Sequence, residues 1–400
     1  MKKAFFAYQY SMANAGDFAI NIGSLDLLEN YYDEITIVSK LTKDDSEFIN
    51  NIDYIKKYYP NFKVIEGPFN LNRGSLIKTF RSYIFGMIKY PYLLLMGVYK
   101  NAIQKSDIVF LNGGNILRCG SMTDYIRLHA LLFPLRIAIK SNKDYVLLPQ
   151  STTSINNNGK KLLSPFLNRA KIVFARENLS YGKLKSDFPD SNIEESLDSA
   201  FFIKDRKVPK QEYEDKYRSL ASMRKNICLT LRKEDLGDIG ELSDVKKKRI
   251  ESEIIALAEK LLRDEYSLTF VIQTKKDKAF TEKIYNEFKT NNRVSIIEEY
   301  DPLILREIYR NSLCLVGMRL HSMILAMSVG TPVVGYFDPN WGSKNPGTLG
   351  QFDMPFSYIE EDNKLYNMIK IALENQDAMK KKITQSKEHV LAVFDNKIKY

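Results

Sequence analysis

With 400 residues, 44% hydrophobic and 27% charged, the chain outgrows one ordinary core and points to two domains of about 200 residues each. Its three cysteines, Cys119, Cys228 and Cys314, form no CxxC pair and no metal-ligand spacing, which argues against a disulfide scaffold or structural zinc and fits a reducing compartment. For the net charge of +10, nucleic acid, an anionic membrane surface and small anionic substrates compete as partners, beside an Asn/Ile/Lys-rich composition that carries no functional meaning.

The chain opens MKKAFFAYQYSMANAGD, with two lysines before an apolar run. That run breaks at Gln9, and Asp17 arrives with no cleavage site before it, so residues 2–8 read as a buried first strand rather than a signal. Further apolar runs follow at 34–39, 63–67, 107–112, 144–150 and 171–176, nearly continuous as in parallel strands covered on both faces. Helical patterns at 17–30, 44–58, 122–140 and 177–187 lie between them, the mark of a doubly wound α/β domain.

Residues 75–104 mix large apolar residues with Lys78, Arg81, Lys89 and Lys100 and carry no acid. Such a segment suits an anionic membrane surface. It equally suits a helix covering the sheet, kinked at Pro91, with its lysines in water.

The pattern lapses into a charged stretch at 204–225, which sets the domain boundary at 205/206. A second series of strands follows at 226–232, 267–273, 293–298, 312–317 and 331–337. Helices at 242–264, 276–289, 301–310 and 319–329 separate them. The expectation is therefore residues 1–205 as one Rossmann-like domain, 206–375 as a second, and 376–400 as a helical tail. The two domains would face a central cleft, with ligands at the C-terminal ends of the strands. Lysines are spread along the whole chain without a compact basic motif, which argues against nucleic acid.

The segment 312–337, SLCLVGMRLHSMILAMSVGTPVVGYF, carries the strongest chemical signal. A strand turns at Gly317 into a helix near Arg319, and Gly330 is placed as its C-cap. Arg319 and His321 then sit in a first helical turn, where free N–H groups and the helix dipole favour an anion. A guanidinium there can fork onto phosphate or carboxylate, and an imidazole suits proton transfer. Weaker signals recur at other strand ends: Gly16 with Asp17, Gly113-Gly114-Asn115, Gln150 after Pro149, Arg176, Asp198 and Arg232. Asp17 is equally a helix cap, the paired glycines equally a turn, and each arginine equally a surface or ion-pair residue.

Taken in order, these pieces resemble the polysaccharide pyruvyl transferase family. The resemblance runs from Asn14 with Gly16-Asp17 through Gly113-Gly114, Pro149-Gln150-Ser151, Arg176-Glu177 with Ser180, Asp198 and Arg232. It continues to Arg319-Leu320-His321-Ser322, Gly330-Thr331-Pro332 and Lys344, and covers roughly residues 4–354. It implies a GT-B-like pair of Rossmann-type domains, with the acceptor on the N-terminal side and the donor on the C-terminal side. It implies transfer of pyruvate from phosphoenolpyruvate, as a ketal, to a sugar of a surface polysaccharide or its lipid-linked precursor. By the same resemblance Arg319 and Arg232 bind the anionic donor, and Leu320 and His321 line its site. His321 is the general acid, Asp17 the candidate base, and no metal or cofactor is needed. The setting expected is cytoplasmic, and peripheral at the inner membrane face if residues 75–104 meet an anionic surface.

Two departures bear on the acceptor. Asn115 stands where many members have a third glycine, and the spacing from Tyr336 to Lys344 is lengthened by FDPNWGS. Trp341 in that insertion can stack on a sugar or cap the cleft. A GT-B glycosyltransferase using a nucleotide-sugar, or a non-catalytic glycan- or anion-binding protein of the same fold, remain the alternatives.

Overall fold

A computed structural model describes residues 1–68, 84, 97–152, 154–206, 217, 220, 223, 225–234, 242–342, 344–361 and 364–398. The chain forms two compact units: Met1–Met12 with Ile20–Ile203 and Lys387–Tyr400, and Ala13–Ala19 with Lys204–Ser386.

The first unit holds a parallel sheet of β1 (Lys3–Gln9), β2 (Glu34–Ser39), β3 (Lys63–Ile65), β4 (Ile108–Leu111), β5 (Asp144–Gln150), β6 (Ile172–Ala175) and β7 (Ile193–Glu195), in the order β3-β2-β1-β4-β5-β6-β7. Phe5 pairs with Thr36 on one side and Val109 on the other, so β1 is central and its side chains are buried on both faces. Around the sheet run α1 (Ala15–Leu28), α2 (Ser46–Tyr58), α3 (Gly97–Lys105), α4 (Met122–Leu131), α5 (Phe133–Lys140), α6 (Asn157–Leu167) and α7 (Asn178–Asp187). The single helix expected over 122–140 is two. The chain turns at Leu132, and Pro134, which has no N–H to give, sits in the first turn of α5. The basic apolar segment 75–104 lies outside the described residues apart from residue 84 and the part within α3.

The second unit repeats the plan with β8 (Asn226–Thr230), β9 (Ser267–Ile272), β10 (Val294–Glu298), β11 (Cys314–Gly317), β12 (Val333–Phe337) and β13 (Phe356–Tyr358). The order is β10-β9-β8-β11-β12-β13, again all parallel. Its helices are α8 (Asp244–Arg263), α9 (Lys278–Tyr285), α10 (Pro302–Arg310), α11 (Leu320–Ser328), α12 (Lys344–Gly350), α13 (Leu365–Glu374) and α14 (Gln376–Val393). Helix α8 shows how the sequence sets them. Ser243 caps the Lys246 N–H, Asp244 sits in the first turn, and Lys260 and Arg263 sit in the last. Ile250, Ile254, Leu257, Ala258, Leu261 and Leu262 make its buried stripe.

The division of the chain departs from the sequence reading in two places. Residues 376–400 are not a separate tail, because they begin in the second unit and return to the first from Lys387. Phe394 holds that return, stacked 5.5 Å from Tyr31 and 5.4 Å from Phe174. Residues 13–19, expected in the N-terminal domain, group with the second unit, where Asn14 makes a β-bridge to Thr274.

Candidate functional site

In an open α/β sheet the strand order reverses at one point, and loops leaving there diverge to opposite faces. In the second unit that point lies between β8 and β11, whose ends are level, with Thr230 opposite Gly317. Arg232 leaves on one side and Arg319 on the other. Arg319 is the extended N-cap residue of α11 and has no side-chain cap, so Leu320, His321 and Ser322 form the first turn. Ser322 Oγ donates to the Arg319 carbonyl at 2.6 Å and lies 2.9 Å from Thr230 Oγ1, which ties the helix start to β8. Gly330 closes the helix in the left-handed region, φ 85°, as only glycine does without strain.

Arg319 does not stand open to an anion here. Its Nε and Nη2 fork onto Asp277 at 2.7 and 2.8 Å, and Nη2 also pairs with Glu234. Glu234 is bonded in turn by Lys276 at 3.1 Å. Both carboxylates are buried. Burial, with Glu234 adding like charge, raises the Asp277 carboxyl above the usual aspartate range against the opposing pull of Arg319. The arrangement locks the loop after β9 to the start of α11. Neither acid was singled out in the sequence: Asp277 lies 42 and Glu234 85 positions from Arg319, and nothing local marks either one.

His321 faces the start of α1. Asn14 Oδ1 accepts the Gly16 N–H at 3.1 Å and caps that helix, so the cap role weighed for Asp17 falls to Asn14. A β-carbon on Gly16 would come within 2.6 Å of His321 Nδ1. Asp17, partly exposed, follows on the same turn. Gly16, Asp17, Arg319, Leu320 and His321 thus all belong to one unit.

Arg232 donates Nε to the Glu234 carbonyl at 3.1 Å and lays its guanidinium over Trp341, 4.5 Å from the ring centroid. One face of that indole, read from the sequence as a surface for a sugar, is therefore taken by an arginine. Trp341 belongs to a short 3-10 turn whose first carboxylate, Asp338, accepts the Asn340 N–H and pairs with Lys246 of α8. Lys344 opens α12 just beyond.

In the first unit the remaining candidates gather at the ends of β4, β5 and β6. Tyr10 Oη donates to the Gly113 carbonyl at 2.7 Å. The Gly114 N–H donates to Pro149 at 2.9 Å, and Gly114 has φ 115°. Gln150 is buried and gives both of its amide bonds to carbonyls, of Asn112 and Leu148. Asn115 is half-buried beside these glycines. Arg176 turns inward: its guanidinium pairs with Asp198 and Ser151 and lies 3.6 Å from Glu177, all buried. The geometry makes it a strut between β6 and the Asp198 turn.

Among the described residues no helix is long and apolar enough to cross a membrane, and no group of three or more His, Cys, Asp or Glu residues gathers as metal ligands.

Two α/β units, each an open parallel sheet with a central switch point, define a GT-B-like protein. The fold is similar to the UDP-GlcNAc 2-epimerase of Neisseria meningitidis (14% identity, TM-score 0.63, 99% of this chain and 100% of that one). It is also similar to Anabaena HepE, solved in complex with UDP-glucose (10% identity, TM-score 0.56, 99% and 100% covered). A glycosyltransferase of Rickettsia africae is a third such structure (15% identity, TM-score 0.54, 98% of each chain). No curated protein matches the sequence. The polysaccharide pyruvyl transferase family matches residues 14–337, and the chain belongs to that family.

Proposed function

We propose that this protein transfers pyruvate from phosphoenolpyruvate to two hydroxyls of a sugar in a surface polysaccharide or its lipid-linked precursor, forming a ketal. The observation that carries the reading is the placement of His321 in the first turn of α11, against Gly16 and one turn-start from Arg319. Proton donor and helix N-terminus are brought together where a phosphorylated enol needs both.

His321, as imidazolium, protonates the methylene carbon of the donor, leaving an oxocarbenium-like carbon. A sugar hydroxyl adds to it and loses its proton to Asp17. Phosphate then departs from the same carbon, carrying off the proton that Asp17 took, and a second hydroxyl closes the ketal as its proton returns to His321. Arg232 and the N–H groups of Leu320 and its neighbours meet the donor's negative charge. The residues at the β4 and β5 ends of the first unit, Gly113, Gly114, Asn115 and Gln150, are assigned to the acceptor, and Lys344 and Ser322 to the donor side. No metal or cofactor enters the scheme. The setting proposed is the cytoplasmic face of the membrane, where lipid-linked acceptors are met.

The test is to incubate the protein with phosphoenolpyruvate and a sugar acceptor, following phosphate release and the ketal methyl resonance by NMR. Turnover that is lost in His321→Ala while donor binding persists supports the reading. Inertness to phosphoenolpyruvate with tight binding of a nucleotide-sugar overturns it.

A further inference from the structure

Asp277 ends the short 3-10 turn Lys275–Asp277 that follows β9, and it is 2% exposed. Its carboxylate is shared between two other segments. Oδ2 accepts Arg319 Nε at 2.7 Å, while Oδ1 accepts Arg319 Nη2 at 2.8 Å and, at 3.2 Å, the N–H of Lys233 on the chain leaving β8. The backbone N–H of Asp277 donates to the Thr274 carbonyl at 3.1 Å and closes the turn. Thr274 is the β-bridge partner of Asn14, whose Oδ1 accepts the Gly16 N–H at 3.1 Å. Gly16 is the residue His321 lies against, and Arg319 is the N-cap residue two positions before that histidine. The contacts close a ring within one unit, from Asp277 through Arg319, His321, Gly16, Asn14 and Thr274 back to Asp277. A forked guanidinium–carboxylate pair fixes direction as well as distance. Asp277 alone in that ring holds α11 by its side chain and the α1 start by its turn, the two elements that confine the imidazole.

We propose that Asp277 is the positioning residue for His321: it sets the start of α11 against the start of α1 and so fixes where the imidazole stands. Its effect on turnover rests on the reading above of His321 as proton donor, whereas its effect on the place of the imidazole does not. Glu234 provides the contrast. It adds a second negative charge beside Arg319, through Nη2, and lies outside the ring. Removing either acid takes away one charge, but only the loss of Asp277 undoes the fork.

The experiment follows the histidine ring resonances of the full-length, isotope-labelled protein by NMR. The chain has three histidines, so the signal of His321 is the one lost in His321→Ala. Asp277→Asn should displace that signal and leave those of His129 and His389 in place. The same variant should lower kcat for phosphate release from phosphoenolpyruvate about 100-fold with KM little changed, as expected for a displaced proton donor. Glu234→Gln should do distinctly less on both counts. Arg319→Lys, which keeps the charge and loses the fork, should reproduce the displacement and serves as the variant if Asp277→Asn does not fold. An unmoved His321 signal in folded Asp277→Asn overturns the positioning role whatever turnover does, and so does an equal displacement in Glu234→Gln, which would make charge the cause. A displaced signal in a protein whose wild type is inert to phosphoenolpyruvate keeps the positioning role and overturns the donor reading.

Discussion

Gly16 and His321 meet with no room for a methyl group between them: a β-carbon at position 16 would stand 2.6 Å from Nδ1 and 2.8 Å from both Cβ and Cγ of the histidine. The clash is with the root of the side chain, so turning the imidazole does not relieve it, and α1 or α11 has to shift. Gly16 is helical rather than left-handed, so Gly16→Ala is free of backbone strain and reads out the contact alone. Overpacking of this kind costs about 1–3 kcal/mol. The expected result is a folded protein with a modestly lower melting temperature and a kcat reduced about 100-fold, since a displacement near 1 Å is that costly to an aligned site. Phosphate release and circular dichroism check both halves. Unchanged turnover in Gly16→Ala would remove His321 from the chemistry.

The Arg319 clamp makes a pH-dependent prediction. The folded Asp277 carboxyl lies above its ordinary range, so the stability this group adds belongs to its protonated form and is lost as pH rises through the raised value. Arg319 opposes that rise and offsets part of the cost of ionising it. Arg319→Leu leaves Asp277 and Glu234 facing each other in a buried site, with an expected loss of about 3–5 kcal/mol near neutrality. Acidification should restore part of that loss by protonating Asp277 above the pH at which an ordinary aspartate titrates. Melting temperatures of the variant and wild type at about pH 7.5 and about pH 5.5 decide it: the gap between them should narrow at the lower pH. A gap independent of pH would contradict the clamp.

The thiols give a chemical test of the core. Burial pushes Cys228 up to about 12, and raises Cys119 and Cys314 as well. At about pH 8 only about one Cys228 in ten thousand is thiolate, which is the reactive form. The native protein should therefore resist iodoacetamide at Cys228 and Cys314, and all three cysteines should alkylate once it is unfolded in guanidinium. Intact mass before and after denaturation counts the adducts.

Much of the fold was legible because buried parallel strands write themselves as continuous apolar runs. Every strand from β1 to β6 and from β8 to β12 lies within or at the edge of such a run. The two that escaped are short edge strands, β7 and β13, where Ile193-Glu194-Glu195 and Phe356-Ser357-Tyr358 offer three residues and partial exposure. At the candidate site, the place of Arg319 and His321 at the start of α11 followed from Gly317, Gly330 and the helical pattern between them. What they touch did not. Asp277, Glu234 and Gly16 reach them from other segments, and a long-range ion pair or close approach leaves no periodicity in either segment that forms it. The same limit hid the return of Phe394 to the first sheet.

Arg176 tests whether a residue that matches the family pattern acts by contact or by support. Its side chain, that of Asp198 and that of Glu177 are each 3% exposed, and Asp198 also accepts the Ala200 N–H at 3.0 Å to hold the turn after β7. Arg176→Met keeps the bulk but strips two buried carboxylates of their counter-charge, which costs about 3–5 kcal/mol when one partner of a buried pair is removed. The melting temperature should fall by several degrees, while the KM for phosphoenolpyruvate of the protein that remains folded stays at the wild-type value. Adding Asp198→Asn should recover part of the loss, because it removes a stranded charge and keeps an acceptor for Ala200. If Arg176→Met instead melts like the wild type and raises KM, the guanidinium leaves Asp198 to hold substrate, and the strut assigned to it is wrong.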